Sequence, residues 1–268
     1  MYNKVFTDDF SALGAQLTEI LSDMSGESPL KSVIELSYRE NSLFTPNMQI
    51  YSILSICREF LDRRVIEEWL SPYRYKIEER DKTLLIVMAG NIPMVGFHDL
   101  LATLACGFKA NVKLSSKDRY WIPLLYEMLS DINSYWRERI SFTETLPENA
   151  DIVIASGSDM TSSFLKSKYS SSHTLIRGSR HSLALLKGNE NPGELEALAK
   201  DLFLYYGLGC RSVSSLLVPA GYDFTVLLEA CDSMKSEVVS EDYISSYKYQ
   251  KAICTMSSNE FIDGGFFI

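Results

Sequence analysis

The sequence is poor in histidine, in basic charge and in the glycine-rich motifs that commonly bind nucleotides. Its three histidines in 268 residues form no HxxxH or HExxH pair, which argues against a metal site. Lys and Arg number 26 against 35 Asp and Glu, a net charge of −9 that argues against a nonspecific nucleic-acid binder. GxGxxG, Walker A and GxSxG motifs are all missing from the sequence.

Uninterrupted hydrophobic segments are also scarce. The most apolar stretch, residues 84–108, is broken by Asn91, Pro93 and Asp99, so no membrane span is expected. Residues 1–9 carry three charges and no apolar segment, which predicts no secretory signal and a cytoplasmic location. The 46% apolar content predicts a globular protein with a large core.

The five cysteines are too dispersed for a metal set or a disulfide framework. Cys57 and Cys106 lie within apolar helical patterns, so both are predicted to be buried in the core. Cys231 and Cys254 are predicted to be structural. Cys210 has a different setting, which singles it out as a candidate nucleophile.

The surroundings of Cys210 favour access and ionisation. Gly207 and Gly209 remove side-chain bulk, and Arg211 or a nearby helix N-terminus would favour the thiolate, which is the nucleophilic form. Catalysis and simple packing both remain open from this local context.

The order of predicted elements indicates an α/β protein. Residues 8–62 are helical in pattern, with Gly26 and Pro29 ending the first helix and Thr45-Pro46 starting another. Short strands are predicted at 84–88, 111–114, 151–155, 174–176, 183–186 and 215–218, and helices at 97–106, 117–135, 160–168 and 192–206. Strands that alternate with helices predict a largely parallel sheet.

Three strand-to-helix turns are candidate ligand sites, because parallel sheets bind ligands beyond the carboxyl ends of their strands. They are Gly90-Asn91, Ser115-Ser116 and Gly157-Ser158. Ser115-Ser116 is also predicted to cap the following helix. Ordinary turn chemistry explains each pair about equally well.

Four segments together resemble a known family. They are 90–99, 112–118, 155–159 and 207–214. In order and spacing they resemble the acyl-CoA reductase branch of the aldehyde dehydrogenase superfamily, the branch that includes the fatty-acid reductase of bacterial bioluminescence. The likeness implies a Rossmann-like NAD(P)-binding domain with N-terminal helices at 1–180, and a truncated α/β catalytic domain at 181–268.

The resemblance assigns the chemistry to two residues. It implies that Cys210 takes the acyl group from a thioester as an acyl-cysteine, from which hydride releases an aldehyde. It also implies that Asn91 donates a hydrogen bond to the developing oxyanion, together with the Cys210 backbone N–H. The implied substrate is acyl-CoA or another acyl thioester.

The resemblance also implies NADPH or NADH as cofactor. Lys113 matches the residue that holds the adenosine ribose, with Ser115 and Ser116 beside it. Gly157 and Ser158 match the pyrophosphate-binding turn.

One departure from the superfamily bears on the reaction. Oxidising aldehyde dehydrogenases carry a glutamate that activates water, and its position here falls on Ile176, which cannot accept a proton. Reduction is therefore expected over oxidation to the acid. Arg177 and Arg180 either contact cofactor or CoA phosphates or are solvated. His181 either titrates near a substrate or is an ordinary surface histidine, and the latter is expected.

A second departure concerns the end of the sequence, where residues 266–268 resemble the interior of an interrupted strand and predict a truncated catalytic domain. Two alternatives to acyl-CoA reduction follow. One is a CoA-acylating aldehyde dehydrogenase working in the oxidative direction, and the other is a noncatalytic dinucleotide-binding remnant. A homo-oligomer is expected by resemblance.

Overall fold

A computed structural model describes residues 2–23, 28–73, 78–238, 240–257 and 260–268. The chain forms two compact units. One contains the residues up to Asn41 together with Gln49–Ser179, and the other contains Ser42–Met48 and Arg180–Ile268.

Among the described residues, four α-helices precede the first strand, and a short 3-10 helix (Ser71–Tyr73) follows the last of them. They are α1 (Tyr2–Ser22), α2 (Pro29–Glu40), α3 (Pro46–Phe60) and α4 (Arg63–Leu70). The Ser28 side chain caps α2, and Pro29 lies in its first turn. The prediction that Pro29 ends a helix is therefore wrong, because it begins one. Gly26, the other predicted stop, lies outside the described residues. The predicted start of α3 is confirmed, since Thr45 Oγ1 accepts the Met48 N–H at 3.4 Å.

The first unit contains a five-stranded parallel sheet, as predicted. Its strands are β1 (Thr83–Val87), β2 (Lys109–Lys113), β3 (Ile140–Phe142), β4 (Ile152–Ser156) and β5 (His173–Arg177). The spatial order is β3-β2-β1-β4-β5. The helices between these strands are α5 (Phe97–Ala105), α6 (Trp121–Ile132) and α7 (Asp159–Lys168). The short strand β3 was not predicted, because three residues give little periodicity.

Strand β1 is central and buried on both faces, which is typical of parallel sheets. Leu84 and Ile86 belong to a core that also contains buried residues of α1, α5 and α6. Leu85 and Val87 point the other way, into a core with Leu165 of α7. The continuous apolar run in the sequence therefore packs against helices on both faces of the sheet.

Two predictions near this sheet are wrong. Helix α6 begins at Trp121 and not at 117, because the Asp118 N–H donates to the Ser115 carbonyl at 3.2 Å and closes a turn. Ser115 and Ser116 therefore do not cap the helix. Cys106 is exposed, because α5 ends just before it and the residue faces outward from the C-cap. Cys57 is buried, as predicted.

The second unit contains the parallel strand pair β6 (Ser182–Leu185) and β7 (Val213–Leu217). Its helices are α8 (Pro192–Phe203), α9 (Thr225–Asp232), α10 (Lys235–Val238) and α11 (Glu241–Met256). Asn191 and Glu194 form a capping box at the start of α8. Cys231 is buried in this unit, whereas Cys254 is half-buried.

Gly107 lies directly after the C-cap of α5, at the position where glycine commonly ends a helix. Its φ is 80°, and the N–H groups of Gly107 and Phe108 donate to the carbonyls of Leu104 and Thr103, which is a Schellman motif. A Cβ atom at Gly107 would lie 2.0 Å from the Glu78 carbonyl oxygen. Both the positive φ and the lack of room for a Cβ atom therefore require glycine at this position.

Replacing Gly107 with alanine tests this double requirement. We expect Gly107→Ala to lower the free energy of unfolding by about 3 kcal/mol, because left-handed strain of about 1–2 kcal/mol adds to the steric clash. Gly221→Ala is the matched control, since Gly221 has φ 74° but open space around its Cβ position. Urea unfolding of both variants measures the difference, and equal losses would show that the clash with Glu78 contributes nothing.

Candidate active site

Three turns lie at the carboxyl ends of adjacent parallel strands. Strand β1 pairs with β2 on one side and with β4 on the other. The chain runs outward from β1 to β3 and then returns to β4, so the strand order reverses between β1 and β4. Ligands of open α/β sheets bind at such a reversal. The turns after β1, β2 and β4 are those that the sequence singled out.

The turn after β1 carries Asn91. Gly90 is buried, and a Cβ atom there would lie 2.3 Å from Ser115 Oγ. The turns after β1 and β2 therefore pack directly on each other. Asn91 itself is exposed at the edge of the sheet.

The backbone that follows Asn91 is held at two points. Ser52 Oγ, from α3, donates to the Pro93 carbonyl oxygen at 2.9 Å. Met94 has φ 57°, which is unusual for a residue with a side chain, and its N–H donates to Asp118 Oδ2 at 2.6 Å. Both contacts are buried, so they compete little with water.

Asp118 is an unusual carboxylate. It is 7% exposed, and its Oδ1 atom is buried without a hydrogen-bond partner. Burial raises its pKa to about 6, although the hydrogen bond from Met94 acts in the opposite direction. Buried polar atoms in folded proteins are nearly always paired, so this atom calls for an explanation.

The turn after β2 contains Lys113, Ser115 and Ser116. Lys113 is the last residue of β2, and its Nζ donates to the neighbouring Leu114 carbonyl at 3.1 Å. Ser115 Oγ accepts the N–H of Lys117 at 3.2 Å. Ser116 and Lys117 are exposed. The turn thus presents hydroxyl and ammonium groups.

The turn after β4 leads into the N-terminus of α7. Ser158 is the N-cap, and its Oγ accepts the Thr161 N–H at 3.3 Å. A Cβ atom at Gly157 would lie 3.0 Å from the Thr161 side chain. Helix N-termini attract anions through free N–H groups and the helix dipole, so this turn suits a phosphate.

Arg177 is engaged in an ion pair. At the end of β5, its Nη1 lies 2.8 and 2.9 Å from the two oxygens of Asp99, in the first turn of α5, and 3.4 Å from Ser156 Oγ. Neither expectation for Arg177, phosphate contact or free solvation, included this pair. The neighbouring Ile176 packs on the opposite face, against the α7 layer. Arg180 and His181 are exposed.

Cys210 lies in the second unit on a tight turn. It is exposed, and the turn closes with a 3.0 Å hydrogen bond from the Ser212 N–H to the Gly209 carbonyl. The segment that follows is strand β7, so it supplies no helix N-terminus to the thiol. The Ser182 hydroxyl donates to the Cys210 carbonyl at 3.5 Å.

The backbone before Cys210 is strained. Tyr205, Tyr206 and Gly207 have φ values of 54°, 58° and 66°. This left-handed run ends α8 at Phe203, earlier than the predicted 206. Left-handed residues with side chains cost about 1–2 kcal/mol each and occur preferentially at functional sites.

The predicted site residues are thus divided between the two units. Asn91 and the five residues assigned to cofactor binding lie on three neighbouring turns of the first unit, and Cys210 lies in the second. Among the described residues, no group of three His, Cys, Asp or Glu side chains could hold a metal ion. In that same part of the chain, no helix is long and apolar enough to cross a membrane.

Sequence reasoning missed Asp99 and Asp118 as site-associated residues. Both lie inside the segments that carried the resemblance, so their positions were available. Their burial could not be predicted, because nothing in the neighbouring sequence distinguishes a buried aspartate from an exposed one.

Known structures share this architecture. Betaine aldehyde dehydrogenase from Staphylococcus aureus matches with a TM-score of 0.68 at 9% identity, over 98% of this chain and 57% of that chain. Glyceraldehyde-3-phosphate dehydrogenase from Methanocaldococcus jannaschii, solved with NADP, matches with a TM-score of 0.63 at 12% identity, over 87% and 54%. The fold is therefore that of the aldehyde dehydrogenases.

Sequence comparison identifies the family. Residues 47–237 match the acyl-CoA reductase (LuxC) family model, so the chain belongs to that family. A long-chain acyl-protein thioester reductase from Aliivibrio fischeri is 26% identical over 172 residues, which are 57% of this chain and 35% of that protein. The chain spans about a third of the length of this curated relative.

The buried Asp118 carboxylate makes stability depend on pH. Its folded pKa of about 6 exceeds the unfolded value of about 4, so its favourable contribution to folding is present below about pH 4 and is lost as pH rises through about 6. The free energy of unfolding of the unsubstituted chain should therefore fall by about 3 kcal/mol, relative to that of Asp118→Asn, as the pH rises from about 4 to about 8.

Urea unfolding across this pH range measures the difference. Asp131→Asn is the control, since that carboxylate is exposed. Parallel stability curves for Asp118→Asn and the unsubstituted chain would contradict the raised pKa.

Proposed function

We propose that this chain takes part in the NAD(P)H-dependent reduction of a fatty acyl thioester to an aldehyde. Membership of the acyl-CoA reductase family carries the proposal. It is supported by an exposed cysteine on a strained turn in one unit, and by three ligand-suited turns at the edge of a parallel sheet in the other. The proposed location is cytoplasmic and the proposed assembly a homo-oligomer.

In this proposal, Cys210 is the nucleophile. Its thiolate attacks the thioester carbonyl carbon, and the new S–C bond forms as the bond to the CoA sulfur breaks, which releases CoA thiolate. Asn91 contributes an amide donor to the carbonyl oxygen while it carries negative charge. Delivery of hydride to the same carbon would break the Cys210 S–C bond and release aldehyde and the Cys210 thiolate.

The residues present suit a nicotinamide dinucleotide, which supplies the hydride when bound. The turn of Gly157 and Ser158 at the start of α7 would hold the pyrophosphate through backbone N–H groups. The close fit of Gly157 against Thr161 supports this role, since a side chain there would fill the cradle. Lys113, Ser115 and Ser116 would hold the adenosine ribose.

The turn after β2 favours NADPH over NADH in this proposal. Selectivity for NADH commonly uses a carboxylate on the ribose hydroxyl. From Lys113 to Asp118 the only carboxylate is that of Asp118, which is buried and accepts the Met94 N–H. The exposed Lys117 ammonium in the same turn suits a 2′-phosphate.

The direction of reaction follows from a missing base. Where oxidising relatives activate water with glutamate, this chain has Ile176, which is half-buried against the apolar layer under α7. Without a proton acceptor at this position, hydrolysis of an acyl-cysteine is slow, whereas transfer to a thiol or reduction by hydride proceeds. Reduction to aldehyde is therefore proposed over oxidation to the acid.

Acyl trapping tests the nucleophile. We expect radiolabelled long-chain acyl-CoA to leave label on the chain, and Cys210→Ala to abolish both the label and NADPH-dependent aldehyde formation. Cys106→Ala is the matched control, because Cys106 is also exposed and is placed outside the site. Label that persists in Cys210→Ala, or carboxylate as the main product of the unsubstituted chain, would overturn the proposal.

Cofactor preference tests the turn after β2. We expect Lys117→Ala to raise the KM for NADPH about fivefold and to leave the KM for NADH unchanged, because only NADPH carries the 2′-phosphate. Lys82→Ala serves as control, since this exposed lysine precedes β1 at the opposite edge of the sheet. Equal changes for both cofactors would contradict a phosphate contact.

A further inference from the structure

We propose that Asp118 is a positioning residue, which holds the Asn91-bearing turn in its working conformation through the Met94 amide and ties this turn to the ribose-binding turn after β2. This inference rests on the proposed function and adds a residue to which neither the family resemblance nor the comparisons assign a role.

The first support is the geometry of the hydrogen bond. The Met94 N–H reaches Asp118 Oδ2 at 2.6 Å inside the protein, and Met94 lies three residues after Asn91. Bonds to an ionised acceptor are shorter and stronger than neutral ones. Because Met94 has φ 57°, its conformation needs a tertiary contact to persist, and Asp118 supplies one.

The second support is the place of Asp118 in the chain. It closes the turn that begins at Ser115, through its N–H bond to the Ser115 carbonyl. Ser115 Oγ in turn occupies the space in which a Cβ of Gly90 would lie. Asp118 and Gly90 therefore connect the same two turns at two points, so that movement of one turn moves the other.

The third support is the cost of keeping the carboxylate. Its Oδ1 atom is buried and unpaired, and burial raises the pKa of the group. Such a group opposes folding when ionised, so stability alone does not explain an aspartate here. A strong acceptor for the strained Met94 amide does explain it, since functional sites retain groups that cost stability.

Asparagine at position 118 distinguishes a positioning role of Asp118 from a contribution to stability alone. Its carbonyl oxygen is a weaker, uncharged acceptor, and its NH₂ group would fall where Oδ1 has no partner. We expect Asp118→Asn to fold with unchanged or higher thermal stability at about pH 8, and to lose about tenfold in kcat with the KM for acyl thioester changed less than twofold. Asp131→Asn should leave both constants unchanged.

A double-mutant cycle shows whether Asp118 acts through Asn91. Asn91→Ala alone should lower kcat about a hundredfold, the usual loss for an oxyanion donor. Adding Asp118→Asn to Asn91→Ala should then cost less than twofold. Full multiplication of the two losses, or an unchanged kcat in Asp118→Asn alone, would overturn the inference.

Hydrogen exchange gives a readout that does not depend on turnover. The amides of Ile92 and of residues 94–96 should exchange at least tenfold faster in Asp118→Asn than in Asp131→Asn, because the Met94 bond is weakened. Equal rates would overturn the inference even with the proposed function intact. Absence of acyl transfer and reduction by the unsubstituted chain would overturn the proposed function, and the inference with it.

Discussion

Burial of β1 on both faces is the constraint on which the first unit depends. Parallel neighbours suit a strand that is covered on each side, because the crossover connections between parallel strands place helices on the faces of the sheet. Once β2 and β4 flank β1, their carboxyl ends meet at one edge of the sheet. The turns after these strands are then brought together by packing, and the polar residues that they carry form the candidate site.

The sequence was a good guide to this architecture, because the signals are local. The run from Leu84 to Met88 is apolar throughout, and the predicted strands β1, β2 and β4 are each followed by a recognisable helix pattern. Errors occurred where local preference and tertiary contact disagree. Serines next to a helical pattern resemble a cap, but Ser115 instead closes a turn with Asp118. Cys106 belongs to an apolar pattern, but the helix ends before it.

The sequence indicated which residues are candidates for the site, but not which side chains contact each other there. The turns and Cys210 were singled out because their glycines, serines and cysteine lie between predicted strands and helices, where ligand binding and ordinary turn chemistry are both open. The pairing of Arg177 with Asp99 joins residues 78 positions apart, and that of Met94 with Asp118 joins residues 24 apart. Pairing at such separation leaves no periodic trace in one sequence. The assignment of the two domains and of the individual site residues remains a prediction.

The left-handed tyrosines have a consequence for the second unit. Tyr205 and Tyr206 pack beside its apolar core, and the Tyr206 ring lies 5.1 Å from that of Tyr243 in α11. Their backbone angles are unfavourable in an isolated peptide, so the core enforces them. A change in the packing of that core would therefore alter the backbone that leads to Cys210. A thiol-reactive probe at the exposed Cys210 would then detect a change in the packing of the second unit.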